Sequence, residues 1–426
     1  MGPSTRPRGQ NYDELRREGS LWTAWSAVRE AGLASPSPQT QRAIKAFERL
    51  DVRNIRRIRD QLREGTFAFG KARGHAIPRP GKRPRPIVVS SIASRVVQRA
   101  LLDELQRLPQ IKKYLEHPTS FGGVPKRSRE HAIAAALAAL DSGAVYFVRS
   151  DIRDFFTRIP RAAALTVLTE GLDPAASRLL EQATALELDN ARELGDDLNL
   201  FPTQEVGVAQ GLCLSPLMGN VLLHKFDETM NGRGITCLRY IDDFLLLGTS
   251  PRNVLRAFDG ALTLLGELGM DAYDPRSAPG KAEDGFTNRP FDFLGCSIQR
   301  GLVQPTARAR AHALGRVREI LTAAEKNLAT PERARGSRAS LEKVLFDVGN
   351  FLRGWRDSFN FCQAHHVFND LDRAIDGEVD RFLLRFGKRL RASSNRDRRL
   401  LLGLPLLAGK PESWTARGAS EPAAPT

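Results

Sequence analysis

The sequence predicts an α+β chain in which a small strand-bearing middle lies between two helical regions. Three observations predict it. Apolar residues recur at helical spacing from Leu21 through Trp25, Val28, Ile44, Phe47, Ile55 and Ile58 to Leu62, broken by the turn-forming run Ser35 to Pro38. Short apolar runs of strand length follow in the middle: Val145 to Ser150 ahead of Asp151, and Cys237 to Tyr240 and Phe244 to Leu247 around Asp242 and Asp243. Beyond Ile298 the chain changes to helix formers with basic faces, over 307–329, 340–361 and 368–390.

The chain has 426 residues, of which 41% are hydrophobic, so it can bury a sizeable core and disorder is excluded as its dominant state. At roughly 100–200 residues per domain the length suggests two to four lobes. With 64 Lys+Arg against 49 Asp+Glu the net charge is +15, which points to a polyanionic partner, nucleic acid ahead of a membrane surface. Cys213, Cys237, Cys296 and Cys362 are scattered, which fits neither a secreted disulfide framework nor a four-thiolate zinc site. No apolar run of spanning length or signal peptide is seen, so the expectation is a cytoplasmic protein without a membrane partner.

Charge is unevenly spread. Residues 51–100 hold 13 basic and three acidic residues, whereas 151–200 hold five basic and ten acidic ones. A phosphate-binding surface belongs to the first block, and the second asks for a cation. Within the first block, His75 to Ser90 is rich in Pro and Arg and ends in the strand signal Pro86 to Val89, after which a helix is expected from Ile92 to about Leu108. Leu217 to Met230 reads as another helix, and the tail from Pro411 is Pro/Ala/Ser-rich and expected to be disordered.

Asp151 ends one apolar strand, and Asp242 and Asp243 sit at the tip of an expected hairpin. If the strands are neighbours, these carboxylates can share hard divalent cations such as Mg²⁺, which takes one or two carboxylates plus substrate phosphates. A pair of such ions would activate a 3′-hydroxyl and stabilise the leaving pyrophosphate. The plain alternative is a turn, since Asp is a common turn former. Between the acids lies the glycine-bearing loop Gly207 to Pro216, whose Gln210 offers an amide to a nucleotide and whose glycines permit close backbone approach to it. Cys362, His365 and His366 have ligand-like spacing but lack a second pair to complete a tetrahedral zinc site, so helix packing is expected there.

In order along the chain, Asp151-Ile-Arg-Asp-Phe-Phe156, Gln210-Gly-Leu-Cys-Leu-Ser-Pro216 and Tyr240-Ile-Asp-Asp243 resemble the palm motifs of reverse transcriptases. The similarity is greatest to bacterial enzymes related to group II intron-encoded, retron and defence-associated reverse transcriptases. It extends upstream to Ile77 through Pro86, Arg95 to Gln98 and Ser120 to Gly122, and downstream to Phe293 to Cys296, Gly354-Trp355 and Leu371 to Arg373. The fold this resemblance implies is a right-hand polymerase: a helical N-terminal extension (1–70), fingers (71–145), a palm with a small antiparallel sheet backed by helices (146–300), a helical thumb (301–395) and a largely disordered tail (396–426).

The resemblance also implies roles. Asp151, Asp242 and Asp243 match the catalytic, metal-holding carboxylates, with the Ile152 carbonyl a further metal ligand. The cofactor is two Mg²⁺ ions, Mn²⁺ being able to substitute. Phe156 matches the bulky side chain beneath the sugar that clashes with a 2′-hydroxyl. Arg79 and Arg85 match fingers residues that hold the incoming triphosphate, and Gln210 joins them at the nucleotide. Lys281 matches a lysine that protonates pyrophosphate. Nucleic-acid contacts are expected at Lys82, Arg83, Arg95, Tyr240 and the primer-grip turn at Gly295, and along the basic thumb helices. Two departures stand out: Ser94 precedes Arg95 where intron-encoded enzymes usually carry Asp, and Ile241 replaces the commoner small residue. No Cys/His-rich endonuclease segment follows the last helices, which suggests a free-standing enzyme that copies a dedicated noncoding RNA into DNA in antiphage defence. Template-independent or protein-primed DNA synthesis, and a non-catalytic maturase-like RNA-binding protein, are the alternatives.

Overall fold

The computed structural model describes residues 11–79, 82–202, 205–232, 234–328 and 340–404, and their side chains except at 82, 327 and 328. The chain divides into two compact units, Met1–Arg289 and Pro290–Thr426.

The first unit opens with helices α1 (Asn11–Leu15), α2 (Glu18–Leu33), α3 (Pro38–Glu48) and α4 (Asp51–Glu64). The Ser-Pro turn starts α3: Ser37 accepts from the Thr40 N–H and Pro38 occupies the first helical turn, where a missing donor costs nothing. Gly65 ends α4 in the left-handed conformation at φ 70°. Leu21, Trp25, Ile44, Ile55 and Leu62 of these helices belong to one apolar cluster with Val96, Leu101, Val148, Leu217 and Phe244. The N-terminal helices thus share a core with the central sheet and are not an appendage to it.

A hairpin of β1 (Arg73–Arg79) and β2 (Lys82–Val89) follows. The sequence signal covered only its last four residues, because the prolines that argue against a strand are tolerated at an irregular, two-stranded edge; the register shifts between Ile77 and Arg79, at Pro78. Helices α5 (Ile92–Leu105), α6 (Pro109–Leu115) and α7 (Arg129–Asp141) lead into β3 (Tyr146–Asp151). Then come α8 (Phe155–Arg158), α9 (Arg161–Thr169), α10 (Pro174–Thr184), α11 (Ala191–Leu194), a 3₁₀ turn (Gly195–Leu200) and α12 (Ser215–Met230). The strands β4 (Ile235–Tyr240) and β5 (Asp243–Gly248), helix α13 (Pro251–Glu267) and β6 (Glu283–Phe286) complete the unit.

The central sheet has the order β4-β5-β3-β6, antiparallel throughout. In it β3 is flanked by β5 and β6, and Asp151 stands opposite Asp243. A smaller cluster of Ala72, Val88, Leu186, Leu188, Phe201, Ala209 and Leu212 holds the β1–β2 hairpin. Asn190 clamps it by exchanging two 2.9 Å hydrogen bonds with the Gly74 backbone.

The second unit begins with the three-stranded sheet β7 (Phe291–Phe293), β8 (Cys296–Gln299) and β9 (Leu302–Pro305). Helices α14 (Ala307–Leu328), α15 (Leu341–Asp357), α16 (His365–Arg391) and α17 (Asn395–Leu402) follow. Val317, Leu321, Val344, Val348, Ile375, Phe382 and Phe386 form its own core. The division at 289 puts Gly295 and its sheet with the helices that follow. At the other end, 395–402 is a helix with Leu401 fully buried and Gly403 as its left-handed cap, at the start of the stretch expected to be a tail. Residues 405–426 of that tail lie outside the described residues. Cys362 is buried while His365 and His366 are exposed, the arrangement of a packed helix start.

Candidate active site

Asp151, at the end of β3, and Asp243, at the start of β5, face each other across two hydrogen-bonded strands, with Asp242 in the tight turn before β5. Strand twist and pleat put directly opposed side chains on the same face, so the pairing brings the acids together. The Ile152 N–H donates to the Asp242 carbonyl at 3.0 Å and extends the pairing one step past the acids. The side chains are half-buried. Burial first, then the charges of Asp242 and Asp151, push Asp243 up to about 7. Burial also raises Asp242, opposed in part by the Arg85 guanidinium and by a hydrogen bond with Asp151. Three acids that cannot all ionise cheaply in one place are a site with unneutralised negative charge, and their oxygens are the donors Mg²⁺ prefers. Among the described residues no three His, Cys, Asp or Glu side chains are gathered closely enough to hold a metal ion by themselves. Mg²⁺ ordinarily completes its shell with water and substrate phosphate oxygens.

The hairpin that carries Asp242 is held from behind by a device the sequence pattern does not show. Arg239, fully buried on β4, donates to both oxygens of buried Asp227 (2.7 and 2.6 Å), to the side-chain Oδ1 of Asn220 (3.0 Å), to the Ser120 hydroxyl (2.8 Å) and to the backbone carbonyl of Ile241 in the turn itself (3.0 Å). Asn220 in turn donates to the Gly122 carbonyl at 3.0 Å. Segment 119–121 runs beside β4, with Phe121 N–H on the Arg239 carbonyl and Arg239 N–H on the Thr119 carbonyl, both at 2.9 Å. Gly122 lies so close that a Cβ there would sit 2.5 Å from the Ile241 nitrogen. Ile241 itself adopts φ 62°, a left-handed conformation that is costly for a β-branched residue.

Two glycines of 207–216 are required by the fold itself. Gly207 (φ 92°) and Gly211 (φ 113°) let the loop approach the chain's own backbone: a side chain on Gly207 would press on the Thr157 carbonyl at 2.7 Å, and one on Gly211 would run into the Val88 carbonyl. Val88 N–H donates to the Gln210 carbonyl and Val208 N–H to the Phe156 carbonyl, at 2.8 and 2.7 Å. The loop therefore ties β2 and the turn after Asp151 together, placing Gln210 and Phe156 on one connected frame.

Arg85 is exposed on β2 and its charge reaches Asp242. Arg79 and Arg83 are exposed at the hairpin end, Arg79 Nε donating to the Arg83 carbonyl at 3.0 Å. The Lys82 side chain lies outside the described residues, as do Pro80 and Gly81. Arg95 is half-buried on α5 near Cys213, and burial lowers it from its usual value. Tyr240, half-buried, is paired with Asp243 in the register. Lys281 Nζ rests 4.5 Å from the centre of the Tyr273 ring and donates to its hydroxyl at 3.3 Å. In the second unit, Leu294 and Gly295 (φ 50° and 78°) form the two-residue turn from β7 to β8.

The family described as "Reverse transcriptase (RNA-dependent DNA polymerase)" matches residues 77–298, just over half of the chain. The chain belongs to the reverse transcriptase family. It is an RNA-directed DNA polymerase by family, a nucleotidyltransferase whose substrates are an RNA template and dNTPs. Protein YkfC of Escherichia coli (strain K12) is 27% identical over 345 residues, 70% of this chain and 81% of that protein. An uncharacterised 91 kDa protein in a cob intron of Schizosaccharomyces pombe (strain 972) is 27% identical over 231 residues, 52% of this chain and 27% of that protein. Among solved structures, a partial Cas6-RT-Cas1–Cas2 complex is similar with a TM-score of 0.35 and 21% identity, over 59% of this chain and 41% of that one. Apo telomerase from Candida tropicalis is similar with a TM-score of 0.39 and 13% identity, over 56% of this chain and 55% of that one. No helix among the described residues is long and apolar enough to cross a membrane.

Proposed function

We propose that this reverse transcriptase extends a primer 3′-end with dNTPs at the Asp151–Asp242–Asp243 cluster, in a palm flanked by fingers (71–145) and followed by a thumb. The opposition of Asp151 and Asp243 across β3 and β5 carries the reading. Two Mg²⁺ ions bound there, with Mn²⁺ as a substitute, would supply a more acidic 3′-hydroxyl and charge stabilisation of the leaving pyrophosphate. The chain's own residues do the rest. The three carboxylates and the Ile152 carbonyl provide hard oxygen donors. Exposed Arg85 and Arg79 reach the triphosphate, for which a planar guanidinium offers paired donors. Phe156 closes the sugar pocket against a 2′-hydroxyl, Gln210 contacts the nucleotide, and Lys281 brings a proton to the pyrophosphate. Lys82, Arg83, Arg95, Tyr240 and Gly295 contact template or primer.

Primer extension with radiolabelled dNTPs on primed RNA, and on any RNA that co-purifies with the protein, tests this directly. Wild type should incorporate, and Asp242→Asn should lose about 10³-fold or more of the rate while retaining its fold. A wild-type protein inert on every such template would sink the reading. The finer proposal, that the template is a dedicated noncoding RNA and the purpose antiphage defence, rests on the resemblance to retron and defence-associated enzymes. Sequencing the co-purified nucleic acid should return one recurrent RNA with its complementary DNA, and phage resistance should disappear in the Asp242→Ala/Asp243→Ala variant. Resistance retained in that variant would favour the RNA-binding alternative.

A further inference from the structure

Tyr273 lies outside the motifs that resemble the family, yet its backbone is fastened to the strand that carries Asp151. Its N–H donates to the Asp151 carbonyl at 3.1 Å, the Ser150 hydroxyl donates to its carbonyl at 2.6 Å, and Arg153 N–H donates to the Asp271 carbonyl at 2.7 Å. Ala272 between them bridges Ile152 antiparallel. Tyr273 is thereby held opposite Asp151 in the pairing, on the same face.

Two cations converge on this ring. The Arg153 guanidinium carbon lies 4.6 Å from its centroid and the Lys281 ammonium 4.5 Å, the latter also donating to the phenol oxygen. The negative face of an aromatic ring attracts each of them and offsets part of their mutual repulsion. Neither forms an ion pair with a carboxylate among the described residues, and Arg153 Nε is buried without a hydrogen-bond partner. Of the acids flanking Tyr273 on its own segment, Asp271 pairs with Arg158 at 2.7 Å and Asp274 with Arg276 at 2.7 Å. Two cations gathered on one ring without a carboxylate partner among the described residues leave positive charge available to an anion.

We propose that Tyr273 is a positioning residue that gathers Arg153 and Lys281 into a two-cation seat for the β- and γ-phosphates of the incoming dNTP, the part released as pyrophosphate. This rests on the polymerase reading and deepens it. Arg153 supplies a planar fork of donors and Lys281 a mobile point charge, a division suited to phosphoryl oxygens of two different groups.

The test compares Tyr273→Leu, which removes the platform, with Tyr273→Phe, which keeps the ring and removes only the hydroxyl. In the full chain with primed RNA, Tyr273→Leu should raise the KM for dNTP and the inhibition constant for pyrophosphate about tenfold with primer–template affinity unchanged, and Tyr273→Phe, which keeps the ring that holds both cations, should lose about threefold or less. Calorimetric titration with inorganic pyrophosphate in Ca²⁺ provides a readout without turnover, and the same tenfold weakening is expected in Tyr273→Leu. Unchanged KM and pyrophosphate affinity in Tyr273→Leu, in an enzyme that polymerises, overturns the seat alone. Equal losses of kcat and primer–template affinity in both variants also overturn it, in favour of a structural role. A wild type that binds pyrophosphate in a Tyr273-dependent way yet incorporates no dNTP supports the seat and overturns the polymerase reading.

Discussion

At Asp243, the carboxyl held at about 7 makes the metal-free fold sensitive to pH with a definite sign. The native state keeps a proton that the unfolded chain, with its carboxyl near 3.8, releases. Stability from this group is therefore fully present below about pH 4 and is lost as pH rises towards 7, by an amount on the order of 4 kcal/mol at most. Urea unfolding in chelator should show Asp243→Asn gaining on wild type across that window, with Mg²⁺ narrowing the gap. Parallel profiles for the two proteins would mean the carboxyl is not strained. Phe156 makes a second residue-scale prediction. Replacing it with Val should raise ribonucleotide use relative to dNTP about 10–100-fold, measured as the ratio of kcat/KM values. An unchanged ratio would assign the ring to core packing, where it already touches Phe155 at a centroid distance of 5.2 Å. Asp243 stands out in the sequence as an acid beside an apolar run, whereas the role of Phe156 comes only from its match to the family's motif. Tyr273 was not legible, since its importance comes from a return of the chain to Asp151 over 120 residues later.

At the scale of elements, the β4–β5 hairpin depends on one buried ion pair. Asp227 and Arg239 are 1% and 0% exposed, so removing either partner leaves the other charged in a dry interior. Arg239→Met should cost about 3–5 kcal/mol, whereas Arg239→Met with Asp227→Leu should recover much of it. Denaturation midpoints of the four proteins in the cycle decide this, and additive losses would show that the pair is not coupled. Arg239 also holds the Ile241 carbonyl, so activity in the double variant should stay low even where stability returns. Strand existence was readable from the apolar runs on either side of Asp242. The partner of β4 on its outer side was not: 119–121 contains no strand signal and is ordered by Arg239 and Asn220. The β1 strand was hidden for another reason, because its prolines, read alone, argue for a loop.

For the whole molecule, the net charge proves to be divided. Residues 290–426 carry 23 basic and 15 acidic residues, more than half of the +15 in under a third of the length. Binding to an RNA–DNA duplex should therefore rest heavily on phosphate contacts and weaken by roughly 10³-fold between 50 and 200 mM salt. Fluorescence anisotropy across that range measures it, and a flat response would exclude an electrostatic grip. The α+β class and the helical ends are legible in the sequence, because each rests on periodicity within about 20 residues. The sheet of β7 to β9 looks in sequence like a continuation of the strands before it, yet it belongs to the compact unit that begins at Pro290.

The opposed pairing of Asp151 and Asp243 also sets where this gene can change length. A strand alternates faces with every residue, so one codon inserted or deleted within 146–151 or 243–248 would turn a carboxylate to the far side of the sheet. Such indels should be purged from descendants of this sequence.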